Sequence, residues 1–135
     1  TFLHLAGKLE RFHAQRKAQV SGAQLQQVDR DFAGVFRIAP SELERMFQVI
    51  RAASVEIQAI EEEMRKHAND RARWELPADR NTIRTLQERR QSAIQANMNR
   101  LRTTLTATAW AAVSSFINTD LRNATTIAQP AGARP

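Results

Sequence analysis

The chain has 135 residues, 42% hydrophobic and 25% charged, a composition that suits one globular domain large enough to fold without metal or disulfide staples. It contains no cysteine, which excludes disulfides, thiolate metal sites and cysteine nucleophiles while leaving the compartment open. The net charge of +6 comes almost entirely from arginine, and no apolar run approaches the roughly 18 to 20 residues of a membrane span.

The charge is unevenly spread. Residues 38–70 carry four bases against seven acids, and residues 71–105 carry eight bases against three. Two long antiparallel segments of opposite sign can pair with each other, and the excess presents a positive surface to an acidic partner. The chain opens at Thr1 without the charged start and apolar stretch of a signal peptide, and is read as a mature or trimmed product.

Glycine and proline are scarce, so the breaks between helices stand out. In the first segment Phe2, Leu5, Leu9 and Phe12 recur in steps of three and four, one stripe of a helix. A break follows at Ser21-Gly22, where Ser21 and Gln24 have capping-box spacing. Leu25, Val28, Phe32 and Val35 then form a second, shorter stripe.

The longest helix is expected over about residues 40–70. Leu43, Met46, Ile50, Ala53, Ile57, Ile60, Met64 and His67 repeat at heptad spacing, widened by Phe47 and Val49. Such a helix is too long for a compact globule to surround, which predicts an elongated hairpin or bundle. Glu61, Glu62 and Glu63 fall off the stripe and read as a solvated face. A connection with Arg71, Arg73, Trp74 and Pro77 leads to Asp79, the expected N-cap of a helix whose apolar side carries Ile83, Leu86, Ile94, Met98, Leu101 and Leu105. Arg90 occupies a core position in that pattern; it either snorkels out or marks a partner-facing groove. A last helix starts at Thr106 with Ala109, Val113, Phe116, Ile117 and Leu121 on its apolar side. Strand signals are lacking. The chain is therefore predicted to be all-α, an elongated antiparallel helical hairpin or bundle of four to five helices. Residues 1–128 form a single helical domain and residues 129–135, rich in proline and glycine, a disordered tail.

Catalytic patterns are missing: there is no phosphate-binding loop, no Gly-x-Ser-x-Gly elbow and no His-Glu-x-x-His. No enzyme activity, cofactor or metal is expected. His4 and His13 lie about 14 Å apart along their helix and cannot share a metal. Glu63, His67 and Asp70 have the four-then-three spacing that can present one imidazole and two carboxylates to a metal; an ordinary polar helix end has the same spacing. A basic stretch containing Arg80, Arg84, Arg89 and Arg90 suits nucleic-acid phosphates, but Asp70, Glu75, Asp79 and Glu88 interrupt it and Trp74 is its one stacking aromatic, which makes nucleic acid the weaker reading.

Two short stretches look like copies of one helix-start signal. Ile38-Ala39-Pro40-Ser41-Glu42 precedes the longest helix, and Leu105-Thr106-Ala107-Thr108-Ala109 precedes the last. Both resemble the Leu-Thr-x-x-Gln motif found twice in the Spy and CpxP family of bacterial periplasmic stress chaperones, physically a capping box behind an apolar staple. The first copy has Ala39 at the cap and Glu42 in the glutamine's place, with Pro40 suited to the first turn; the second keeps Leu105 and Thr106 but has Ala109 for the glutamine. Ile38 can staple onto Leu43, and Leu105 onto Trp110. A competing register, Ser41 to Glu44, starts the long helix slightly later. The resemblance extends over about residues 24–124 and implies a periplasmic or secreted protein, a homodimer cradle and a basic, partly apolar surface that holds unfolding protein clients without ATP. Arg80, Arg84, Arg89, Arg90 and Met98 are the expected contact residues. A helical assembly domain with a fixed protein partner is the alternative.

Overall fold

The computed structural model describes residues 2–121, and these form five α-helices without a strand. They are α1 (Phe2–Ala18), α2 (Ala23–Phe36), α3 (Pro40–Arg73), α4 (Arg80–Thr104) and α5 (Ala107–Ser115), the last running on as a π-helical turn over Phe116–Leu121. The end of the expected domain and the expected tail at 129–135 lie outside the described residues.

The all-α hairpin architecture follows from the two long stripes. The 34 residues of α3 extend about 50 Å and pack antiparallel against the 25 of α4. The remaining helices gather at one end of this pair: α1 and α2 lie on α3 and on each other, α5 touches α2, and the π turn rests on α1. Their shared core joins Leu5, Ala6 and Leu9 of α1, Phe36 of α2, Leu43, Met46, Phe47 and Ile50 of α3, Leu101 of α4 and Val113 of α5. Burying each large apolar side chain there contributes about 1.5–3 kcal/mol. Beyond Ile60 the apolar side of α3 is only half-buried, and the far half of the hairpin is a bare helix pair.

The first two helices bury faces shifted from the expected ones. On α1 the buried set includes Leu3, Ala6, Glu10 and His13, while Phe12 stands 55% exposed. Polar residues enter because each finds a partner. Glu10 accepts from Arg51 Nε at 3.0 Å, and His13 Nε2 lies 2.7 Å from Asp29 Oδ1. The carboxylate can only accept, so that ring nitrogen carries the proton. His13 is further held between Phe32 and Phe47, at ring distances of 4.8 and 4.6 Å. On α2, Val28, Ala33 and Phe36 turn inward and Val35 is left outside.

The helix ends divide the capping expectations. Ser21 does not cap α2: the N-cap is Gly22, at a φ of 63° that glycine alone adopts freely, and no side chain bonds to the exposed N–H groups. Helix α3 starts at Ala39 with Pro40 in the first turn, which sets aside the Ser41 register. Thr106 caps α5 as expected, its hydroxyl accepting from Ala109 N at 3.2 Å. Asp79 caps α4, accepting from Asn81 N at 3.1 Å and Thr82 Oγ1 at 3.0 Å.

Two C-termini close with the same backbone device. After α2, Ile38 N donates to Ala33 O and Arg37 N to Gly34 O; after α3, Leu76 N donates to Arg71 O and Glu75 N to Ala72 O. These paired bonds define Schellman motifs, whose left-handed position usually falls to glycine. Here Arg37 (φ 56°) and Glu75 (φ 53°) occupy it.

Candidate functional site

The five contact residues expected on α4 separate into three environments. Arg89 reaches back to α3 and grips Glu63 with both terminal nitrogens, at 2.8 and 3.3 Å. Hydrogen bonding and charge attraction from Arg89 hold the Glu63 carboxyl below its usual range, and the same contact raises the guanidinium. One position along, Arg90 Nε donates to Glu61 at 3.1 Å. Glu61 and Glu63 are thus cross-hairpin partners rather than a purely solvated face, and the opposite charges of α3 and α4 meet as the sequence suggested. Arg80 and Arg84 are exposed and make no ion pair among the described residues. Met98 is half-buried.

Arg90 and Met98 share a cleft of about 330 Å³ where the start of α1 crosses the hairpin. Phe2, Ile57 and Ile94 give it apolar walls, and Glu61 with Arg90 closes one side. Arg90 therefore leaves the core by pairing at the rim of a groove.

A second groove, about 480 Å³, runs between α1 and α2. Phe32, Phe36 and Phe116 line it together with Phe12 and Val35, which are 55% and 60% exposed. Lys8 and Asp31 stand at its edges. Sequence periodicity concealed this feature, because Phe12 and Val35 fit the apolar stripes and were expected inside. The available signal was the neighbouring residue in each case: His13 and Phe36 lie on the inward face once the stripe is turned by one position.

The hairpin tip carries a third apolar feature. Trp74 is 73% exposed and Leu76 47% exposed. In a Schellman motif the residue two beyond the cap commonly packs on the last helical turn. Ile38 does so after α2, half-buried against the core. After α3 the equivalent residue is Leu76, but the turn offers Asp70 and Arg71, so Leu76 stays in water. Arg71 instead braces the loop, donating from Nε to Pro77 O at 2.7 Å.

Glu63, His67 and Asp70 all border one shallow depression, but two of the three have other partners. Glu63 is taken by Arg89, and His67 Nε2 accepts from Asp79 N at 3.3 Å. Among the described residues no three metal-ligating side chains converge. The helix-start residues are structural. Ile38, Leu105 and Trp110 belong to or abut the main core, and Trp110 also meets the tilted ring of Phe2 at 5.6 Å with the Arg102 guanidinium over its own ring. Glu42 does not close a capping box: one of its carboxylate oxygens is buried without a partner.

Comparison with known proteins finds no family model, curated protein or solved structure that matches the chain.

Proposed function

We propose that this is a non-catalytic, exported helical protein that binds other proteins, acting as an ATP-independent, chaperone-like holdase. The observation that carries the reading is the groove between α1 and α2, in which aromatic and aliphatic side chains line a concave surface open to solvent. A concave, largely apolar surface with a few polar groups at its edge is the usual form of a binding site. Apolar segments of an unfolding client complement it, and Lys8 and Asp31 at its edges can meet either sign of flanking charge. Arg80 and Arg84 add cations on α4 for acidic stretches of the client. The cap at Thr106 and the half-buried Ile38 ahead of α3 fit the same reading through the resemblance of the two helix-start motifs.

The direct test follows aggregation of an unfolding client by light scattering. The chain is expected to suppress aggregation near stoichiometric ratio, and Phe12→Ser with Val35→Ser to abolish the effect. No protection at stoichiometric excess removes the holdase reading. Mass measurement in solution tests the associated homodimer, and a single stoichiometric partner retained through purification would favour an assembly domain instead.

A further inference from the structure

We propose that the tip of the α3–α4 hairpin docks on an anionic lipid bilayer surface, with Trp74 and Leu76 entering the interface and Arg73, Arg80 and Arg84 supplying cations to lipid phosphates. The tip stands apart from the core: 23 residues of α3 lie between Ile50 and Trp74, a projection of about 36 Å. At its end the structure spends two apolar side chains on water. Trp74 and Leu76 lie two residues apart on a loop fixed by the Schellman bonds and by the Arg71 to Pro77 contact, so their exposure is built into a defined turn. Among the described residues neither has a partner surface, whereas Trp110, the other tryptophan, packs against Phe2.

The charges around the pair fit a negative surface. Residues 66–84 hold five bases, Lys66, Arg71, Arg73, Arg80 and Arg84, against three acids. All three acids, Asp70, Glu75 and Asp79, oppose binding, since the bonds from Thr82 and Asn81 keep Asp79 ionised, and five bases against three acids leave the stretch a net charge of +2. Tryptophan is favoured at the boundary between headgroups and acyl chains, where its ring is apolar and its N–H stays wet, and nearby arginines add attraction to anionic lipids. No helix among the described residues is long and apolar enough to cross a membrane, and the proposed contact is a peripheral one made through the tip. The inference is independent of client binding in the α1/α2 groove.

The experiment is co-sedimentation of the whole chain with phosphatidylcholine vesicles, with and without phosphatidylglycerol, read together with tryptophan emission. Binding is expected only with phosphatidylglycerol, with a blue shift and quenching by brominated acyl chains, and with release at high salt. Trp74→Ala with Leu76→Ser is expected to lower the partition coefficient roughly tenfold or more. Arg80→Glu with Arg84→Glu is expected to do the same. Arg80→Glu places an acid in the first turn of α4, where it suits the helix dipole, and an unchanged far-UV circular dichroism spectrum of the double variant excludes unfolding as the cause of a loss. The proposal is overturned by no sedimentation with phosphatidylglycerol at low salt, by equal binding to both vesicle types, by a bound state in which Trp74 remains unquenched, or by polyglutamate binding as tightly as the vesicles.

Discussion

Asn97 is completely buried on α4, and its amide nitrogen donates across the hairpin to the Glu56 carboxylate of α3 at 3.2 Å. The same nitrogen donates to Ala93 O at 2.8 Å, while Asn97 Oδ1 accepts from Arg100 at 3.3 Å. A satisfied polar residue in a helix–helix seam fixes register at some cost in stability. Glu56 and Arg100 are exposed and can turn to water once the amide is gone. Asn97→Leu is therefore expected to leave the stability read from urea unfolding unchanged or to raise it by no more than about 1 kcal/mol, while Asn97→Ala costs about 2 kcal/mol through an unfilled site. A leucine variant as unstable as the alanine one would contradict this assignment.

The two left-handed positions make opposite demands on sequence and backbone. Arg37 and Glu75 hold a conformation disfavoured for any residue with a Cβ. Glycine relieves that strain but gains freedom in the unfolded chain, so each of Arg37→Gly and Glu75→Gly is expected to stabilise by only about 0.5 kcal/mol. Chemical denaturation with an unchanged m-value checks both. At Glu75 the change also removes an acid from the tip and should tighten binding to phosphatidylglycerol vesicles.

The sequence made the long elements legible because their apolar repeats persist over many turns: α3 and α4 emerge from Leu43 to Ile60 and from Leu86 to Leu101. The short helices were harder. On α1 a local count favours Phe12 over His13, and only the partners Asp29, Phe32 and Phe47, brought from other helices, reverse that choice. The third acidic position of Glu61 to Glu63 looked solvated for the same reason, since its partner Arg89 is 26 residues away. The grooves were illegible because each is made by the meeting of helices rather than by any one of them.

Ser21 and Thr106 share a chemistry and differ in use. Thr106 accepts from the Ala109 N–H, whereas α2 starts at Gly22 with no side-chain cap. Thr106→Ala is expected to destabilise the chain by about 1 kcal/mol, and Ser21→Ala to have almost no effect. Thermal unfolding of both variants separates them, and equal losses would place a cap at Ser21.

Acid should weaken the hairpin before the core. Bonds from Arg89 hold Glu63, and bonds from Thr82 and then Asn81 hold Asp79, below the usual carboxylate range. The folded chain thus binds these protons more weakly than the unfolded one. Their contribution is present above the ordinary carboxylate range and is lost as pH falls below about 4 and passes through the lowered folded values. Glu63→Gln should remove part of this acid sensitivity. Salt should reduce the Glu63 share, which is exposed and partly electrostatic, more than the Asp79 share, which rests on cap hydrogen bonds. Hydrogen exchange along α3 and α4 as a function of pH provides the readout; an acid limb identical in parent and Glu63→Gln would sink the assignment.

Phe12 and Val35 offer the clearest separation of stability from binding. Each is more than half exposed, and Phe12 meets the tilted ring of Phe32 at 5.8 Å. Phe12→Ser and Val35→Ser are expected to cost less than about 1 kcal/mol, because little buried area is lost and no cavity opens. Phe36 and Phe47 are fully enclosed, and their alanine variants should cost about 3–5 kcal/mol. If the groove binds clients, the serine variants lose aggregation suppression while unfolding at nearly the parent denaturant concentration. If instead both serine variants unfold as readily as Phe36→Ala, the groove is a packed surface covered in solution, and the solution mass will show a second copy seated on it.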